Sequence, residues 1–169
     1  MSQAFWYING EPTNGKWIDM DSIDSTDEVL EELAEAEIIP RNEDDDPDYG
    51  GDLLVADAEG LAKAFLSRHD TFDLDDFVEA RDYCESNHVD EDAVVAYVNY
   101  AGSWSKSDFE DSYQGEADNE AAYAEQLFDE CYAHDIPENL RYYIDYEKFA
   151  RDLFISDYWF EDGYVFRRC

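Results

Sequence analysis

Ala4 to Asn9 (AFWYIN) is apolar, aromatic and extended in character, and Lys16 to Met20 (KWIDM) is a second short run of the same kind. The turn-rich stretch Gly10-Glu11-Pro12-Thr13-Asn14-Gly15 between them predicts a β-hairpin. Ser25-Thr26-Asp27-Glu28 has the spacing of a capping box, and Val29, Leu30, Leu33 and Ala34 follow at helical intervals, so a helix is expected to begin there. Asn42 to Gly51 (NEDDDPDYGG) breaks the pattern as an acidic loop, and Leu53 to Ala56 reads as a strand.

From Glu59 the period changes. Leu61, Ala64 and Phe65, then Leu74, Phe77, Val78, Arg81 and Cys84, recur at helical spacing. Asp90 to Tyr100 fits a further helix with Val94, Val95 and Val98 inward, although three β-branched residues also suit a strand. Glu120 to Tyr132 carries an apolar stripe of Ala124, Leu127, Phe128 and Cys131. Pro137-Glu138-Asn139-Leu140 opens a helical turn, Tyr146 to Phe154 a longer helix, and Asp162-Gly163 sits between Tyr158–Glu161 and Tyr164–Arg167 as a two-residue hairpin turn. The expected class is α+β, with antiparallel strands in the N- and C-terminal parts and a mainly helical middle. The expected division is an α+β subdomain over 1–58, a helical one over 59–104 and an α+β one over 105–169, without internal repeat or long linker.

Charge changes the picture most. In 169 residues, 45 Asp and Glu face 11 Lys and Arg, a formal net charge of -34, yet 16% of the residues are aromatic. Disordered acidic tails are poor in aromatics, so the chain is expected to fold. Solubility asks for a net charge of only about 2 to 8 in a small domain, and the surplus opposes compaction by self-repulsion. Such a surface repels nucleic acid and anionic membrane, so its partner is expected to be basic. At about one charge per 1.7 Å of duplex, the net charge equals that of roughly 58 Å of DNA, about 17 base pairs.

The carboxylates are also patterned. Asp73, Asp76, Glu79, Asp82 and Glu85 recur every three residues, and Glu28 with Glu32 and Glu31 with Glu35 are like-charge pairs four apart. One such face is the ordinary solvated side of a helix; its repetition along the chain points to use. Other chemistry finds little support. Asp44, Asp46 and Asp48 have the alternation of a calcium loop, but Tyr49 stands where that loop needs glycine and Val55 where it needs glutamate. Cys84 with His88 and Cys131 with His134 could make a Cys2His2 zinc site, but without a close CxxC they read better as structural cysteines near surface histidines. No GxSxG, P-loop, HExxH or dinucleotide-binding glycine pattern occurs. No metal, cofactor or catalytic group is therefore expected. An odd count of three cysteines (Cys84, Cys131, Cys169) suggests a reducing compartment, and the absence of a leader pattern at Met1 to Gly10 or of a long apolar run suggests a cytoplasmic protein.

Asp108 to Asn119 (DFEDSYQGEADN), Ala121 to Glu125, Ile136 to Leu140 and Tyr142 to Arg168 (YYIDYEKFARDLFISDYWFEDGYVFRR) resemble the ArdA antirestriction family carried by plasmids, transposons and phages. Tyr143 to Leu153 is the most specific tract. Tyr7 to Asp19 resembles the family opening more loosely, and Arg41 to Tyr100 matches in acidity and helical character. The resemblance implies an elongated three-part protomer in a two-fold homodimer, with an acidic surface shaped like bent B-form DNA. It also implies a target, the DNA-binding cleft of type I restriction-modification enzymes in their methyltransferase core, blocked without catalysis or direct contact with nucleic acid. Candidate phosphate mimics are Glu28, Glu31, Glu32, Glu35, Asp44, Asp45, Asp46, Asp48, Asp73, Asp75, Asp76, Glu79, Asp82, Glu85, Asp108, Glu110, Asp111, Glu116, Asp118 and Glu120. Arg141, Tyr146 and Arg151 are candidate structural or interface residues. A salt-adapted protein and an acidic chaperone of basic proteins share the composition; aromatic richness and the C-terminal match argue against the first.

Overall fold

The computed structural model describes residues 1–8, 10, 11 and 13–168; Asn9 and Pro12 of the first predicted hairpin, and Cys169, lie outside the described residues. The chain divides into two compact units, 1–104 and 105–169, each of mixed α and β structure around its own three-stranded antiparallel sheet.

In the first unit β1 (Gln3–Ile8) runs between β2 (Gly15–Asp19) and β3 (Leu53–Glu59). Ala4, Trp6 and Ile8 alternate inward, as the period of a strand requires. Tyr7 breaks the alternation and is also buried: its hydroxyl donates to the Asp70 carboxylate at 2.7 Å, and Val55 N–H donates to Asp70 O at 2.7 Å. The 66–72 loop is thereby strapped over the sheet. Helix α1 (Thr26–Glu35) starts where the capping box placed it: Ser25 Oγ accepts from Glu28 N–H at 3.4 Å, while the Glu28 carboxylate accepts from Asp24 N–H at 2.6 Å. Its buried stripe is Val29, Leu33 and Ala34.

The segment expected to turn helical at Glu59 does so as a six-residue 3-10 helix, Gly60–Phe65, and not as the start of a longer α-helix. Over six residues, spacing alone cannot separate the two. Leu66 then bridges to Phe72, and α2 (Leu74–Asn87) begins behind the Asp73 cap. Edge-to-face and tilted rings run from Trp6 through Phe72 to Phe77 and Phe65, with centroids 5.4–5.8 Å apart, and tie the sheet to α2. The valine-rich segment is helix α3 (Glu91–Ala101), capped by Asp90 and ended by Gly102 at φ 87°, with Val94 and Val98 buried. Packing and caps outweigh its β-branched residues.

The second unit opens with two elements that periodicity did not announce, α4 (Lys106–Ser112) and β4 (Tyr113–Glu116). Strand β4 pairs with β6 (Tyr164–Arg167), whose other neighbour is β5 (Tyr158–Glu161). Asp162 and Gly163 both have positive φ, 48° and 96°, the geometry expected of a two-residue hairpin. Helices α5 (Glu120–Cys131) and α7 (Tyr146–Ser156) pack together, with the short α6 (Glu138–Arg141) between them in sequence. Tyr123, Phe154 and Val165 are a core cluster, flanked by Leu127, Leu153 and Phe160. Cys131 departs from expectation. It fits the apolar stripe of α5 by spacing but is exposed, because Phe128 and Tyr132 make the edge-on contacts with Phe149 of α7 at the end of that helix.

Candidate functional site

Surface charge is where function should reside, so the fate of each carboxylate matters. None of the 45 acidic residues is buried, and among the described residues the single buried charge is the cation Arg81. The sequence sets Arg81 among the apolar positions of α2, and its surroundings give the reason. Its Nη1 donates to Met20 O at 3.1 Å and Ile23 O at 2.8 Å, its Nη2 pairs with Asp24 at 2.5 Å and Asp82 at 2.8 Å, and its guanidinium lies 5.9 Å from the Phe77 ring centroid. Desolvation works against the Arg81 cation, but the hydrogen bonds and charges of Asp24 and Asp82 outweigh it and raise the pKa. The residue therefore clamps α2 to the turn before α1.

The candidate acids fall into distinct situations. On α1, Glu32 is held by Lys16 at 2.6 Å and Glu31 by Arg41. Hydrogen bonding to Glu31 is the largest cause of the raised Arg41 pKa. Glu28 is occupied with the cap, and Glu35 stands exposed. In the acidic loop, Asn42 Oδ1 accepts from the N–H groups of Asp44 and Asp46, both at 2.9 Å, and Arg41 Nη1 donates to Asp45 O at 2.8 Å. That leaves the side chains of Asp44, Asp45, Asp46 and Asp48 outward.

On α2, Asp73 caps Asp76 N–H at 3.3 Å, Glu79 accepts from Trp104 Nε1 at 2.8 Å, Asp82 serves Arg81, and Asp75 and Glu85 are exposed. Asp76 is half-buried, and its carboxyl is raised above the usual range by desolvation and then by Asp73, Glu79 and Asp75. In the second unit Asp108, Glu110, Asp111, Glu116, Asp118 and Glu120 are all exposed, at α4, the end of β4 and the start of α5.

Arg141 donates to the carbonyls of Ala133 and Ile136, pinning α6 to the preceding turn through backbone oxygens. Tyr146 is half-buried edge-on to Phe128 at 5.6 Å, while exposed Arg151 lies 3.8 Å from exposed Asp152. Cys84 is buried, and desolvation followed by Glu91, Asp90 and Glu85 pushes its thiol up to about 12, so it is an inert core residue. Among the described residues no group of three or more His, Cys, Asp or Glu could hold a metal ion, and no helix is long and apolar enough to cross a membrane. A groove of about 630 Å³ at the β4–α5 junction is lined by Glu116, Asp118, Gln126, Asp162 and Tyr164, a set suited to attracting cations.

Comparison with curated proteins finds no match. The sequence model of a family described as antirestriction protein (ArdA) matches residues 5–166, taking in the middle of the chain as well as the C-terminal third. On a match spanning nearly its whole length, the chain belongs to the ArdA family of antirestriction proteins, which is a family of inhibitors.

Proposed function

We propose that this chain blocks restriction by standing in for DNA: its carboxylates occupy the places of phosphates in the basic DNA-binding cleft of a type I restriction-modification enzyme, in the methyltransferase core. The observation that carries this reading is that none of the 45 acidic residues is buried, with few cations to offset them. Keeping like charges together on a folded surface costs stability, and the most direct use of such a surface is attraction to a concentrated positive one. The role is stoichiometric occupation without turnover, exerted in the cytoplasm where restriction enzymes meet DNA.

Many exposed contacts share the binding energy in this account, each contributing about 0 to 1 kcal/mol. Single substitutions Asp108→Asn, Glu110→Gln, Asp111→Asn and Glu116→Gln are expected to weaken inhibition of a type I enzyme less than about threefold each, and all four together at least about tenfold. Protection of unmodified DNA in a restriction digest reads this out. Unchanged inhibition by the fourfold variant would contradict the reading.

We also assign a homodimer to the active form. Tyr142 and Tyr143 of the second unit are 88% and 84% exposed, beside Arg141, Lys148 and Arg151 in the same segment. Two copies of a chain of net charge -34 can approach most readily where cations and aromatics are concentrated. Light scattering is expected to give twice the 19.6 kDa chain mass, and Tyr142→Ser with Tyr143→Ser to lower it. A monomer that inhibits fully would remove the dimer from the mechanism.

A further inference from the structure

Between the end of the 3-10 helix, the first turn of α2 and the last turn of α3 lies a slot of about 210 Å³. Apolar side chains of Phe65, Leu66, Val98 and Trp104 form one part of its lining, and two carboxylate residues, Asp73 and Asp76, belong to the polar part. We propose that this slot takes one basic side chain of the partner protein, the alkyl stem against the apolar walls and the cationic head at Asp73 and Asp76.

Size and charge both commit the slot to that occupant. Small-molecule sites run to about 300–1,000 Å³, so a slot this small suits a single side chain better than a nucleotide or cofactor. Arginine and lysine are the side chains that pair an apolar stem with a cationic tip. Gly102 and Ser103 also line the slot, so the C-terminal end of α3, the negative end of its dipole, faces the same space.

The walls are held in place. Glu79 accepts from Trp104 Nε1 at 2.8 Å, Trp104 meets Tyr97 edge-on at 6.2 Å, and Phe65 meets Phe77 edge-on at 5.8 Å. Burial and the neighbouring carboxylates disfavour the ionised form of Asp76, a repulsion that an incoming cation would relieve. Within a surface whose other contacts are diffuse, this is a defined anchor.

The inference rests on the reading of the surface as a partner for a basic cleft, and its test separates the two. Three probes are titrated into isotope-labelled protein while the Trp104 indole N–H and the amides of 64–67 and 102–104 are followed by NMR. Propylguanidinium carries stem and charge, propylurea the stem alone, and guanidinium the charge alone. Propylguanidinium is expected to give saturable shifts confined to the slot, with each control at least about fivefold weaker. Asp76→Asn should weaken that binding at least about fivefold, Ala64→Leu should block it by narrowing the slot, and Asp111→Asn should leave it unchanged.

Against a type I enzyme, Asp76→Asn should then inhibit at least about tenfold less well than Asp111→Asn, since a desolvated charged contact is lost. Its melting temperature should match or exceed that of the unaltered protein, because a charge disfavoured in the fold is removed. Shifts spread evenly over the surface acids, an equal response to propylurea, or equal inhibition by Asp76→Asn and Asp111→Asn would overturn the anchor. Intact inhibition by the fourfold variant of α4 and β4 would instead overturn the DNA-substitution reading while leaving the NMR result to stand or fall by itself.

Discussion

Replacing Arg81 by methionine is expected to destabilise the first unit by roughly 2–4 kcal/mol, lowering its melting temperature by about 10–20 °C. The side chain is 7% exposed and serves two carbonyls, Met20 O and Ile23 O, together with the carboxylates of Asp24 and Asp82. Methionine keeps much of the packing volume but removes the guanidinium donor from both carbonyls, Met20 O keeping the long bond from Ile23 N–H at 3.4 Å. Asp24 and Asp82 are 67% and 59% exposed and can be rehydrated, which holds the loss below that of a fully buried pair. Arg81→Lys should recover less than half, since one ammonium cannot span four acceptors in a planar fork. Arg151→Met, at an exposed pair, should stay within about 0.5 kcal/mol. Thermal or urea unfolding decides the matter, and an Arg81→Met protein as stable as the unaltered chain would contradict the clamp.

Salt is expected to act in opposite directions on folding and on binding. The Debye length falls from about 10 Å at 0.1 M to 3 Å at 1 M, so added salt screens repulsion among exposed carboxylates and should raise the melting temperature by several degrees. The same screening weakens attraction to a basic cleft, and direct binding to a type I methyltransferase should drop at least about tenfold between 0.05 and 0.2 M. Binding must be titrated directly, because DNA binding by the target weakens with salt as well. A salt-adapted protein would gain stability and activity together. Target binding that strengthened along with stability would exclude the DNA-substitution account.

Local signals were legible where one short segment decides the structure. Ser25 to Glu28 placed the start of α1, Asp162-Gly163 the last hairpin, and Asp90 the helix that its valines left open. What distant partners decide was not. Strand β4 is four residues with Gly115 at φ 110°, and it exists because Phe166, Val165 and Tyr164 pair with it from some fifty residues away.

The site divides in the same way. Composition established an excess of surface carboxylates but could not tell which are engaged. Lys16 meets Glu32, Arg41 meets Glu31 and Arg81 meets Asp24 across 16, 10 and 57 residues, and none of these spacings is a helical neighbour relation. Glu31, Glu32, Glu79 and Asp82, all candidates by sequence, thus have structural partners, whereas Asp75, Glu85, Asp111 and Asp118 have exposed side chains. Asp76 is one of the acidic row legible in the sequence, but its half-burial is not legible there; that comes from the packing of α2 against the 3-10 helix and α3.

The central claim is competition with DNA, and equilibrium binding of a labelled duplex to a purified type I methyltransferase, over a range of concentrations of this protein, tests it most directly. The account predicts that the apparent Kd for DNA rises in proportion to inhibitor concentration without reaching a ceiling, while the amount of DNA bound at saturation stays constant. A plateau in the apparent Kd, or a stable complex holding methyltransferase, DNA and this chain together, would contradict it.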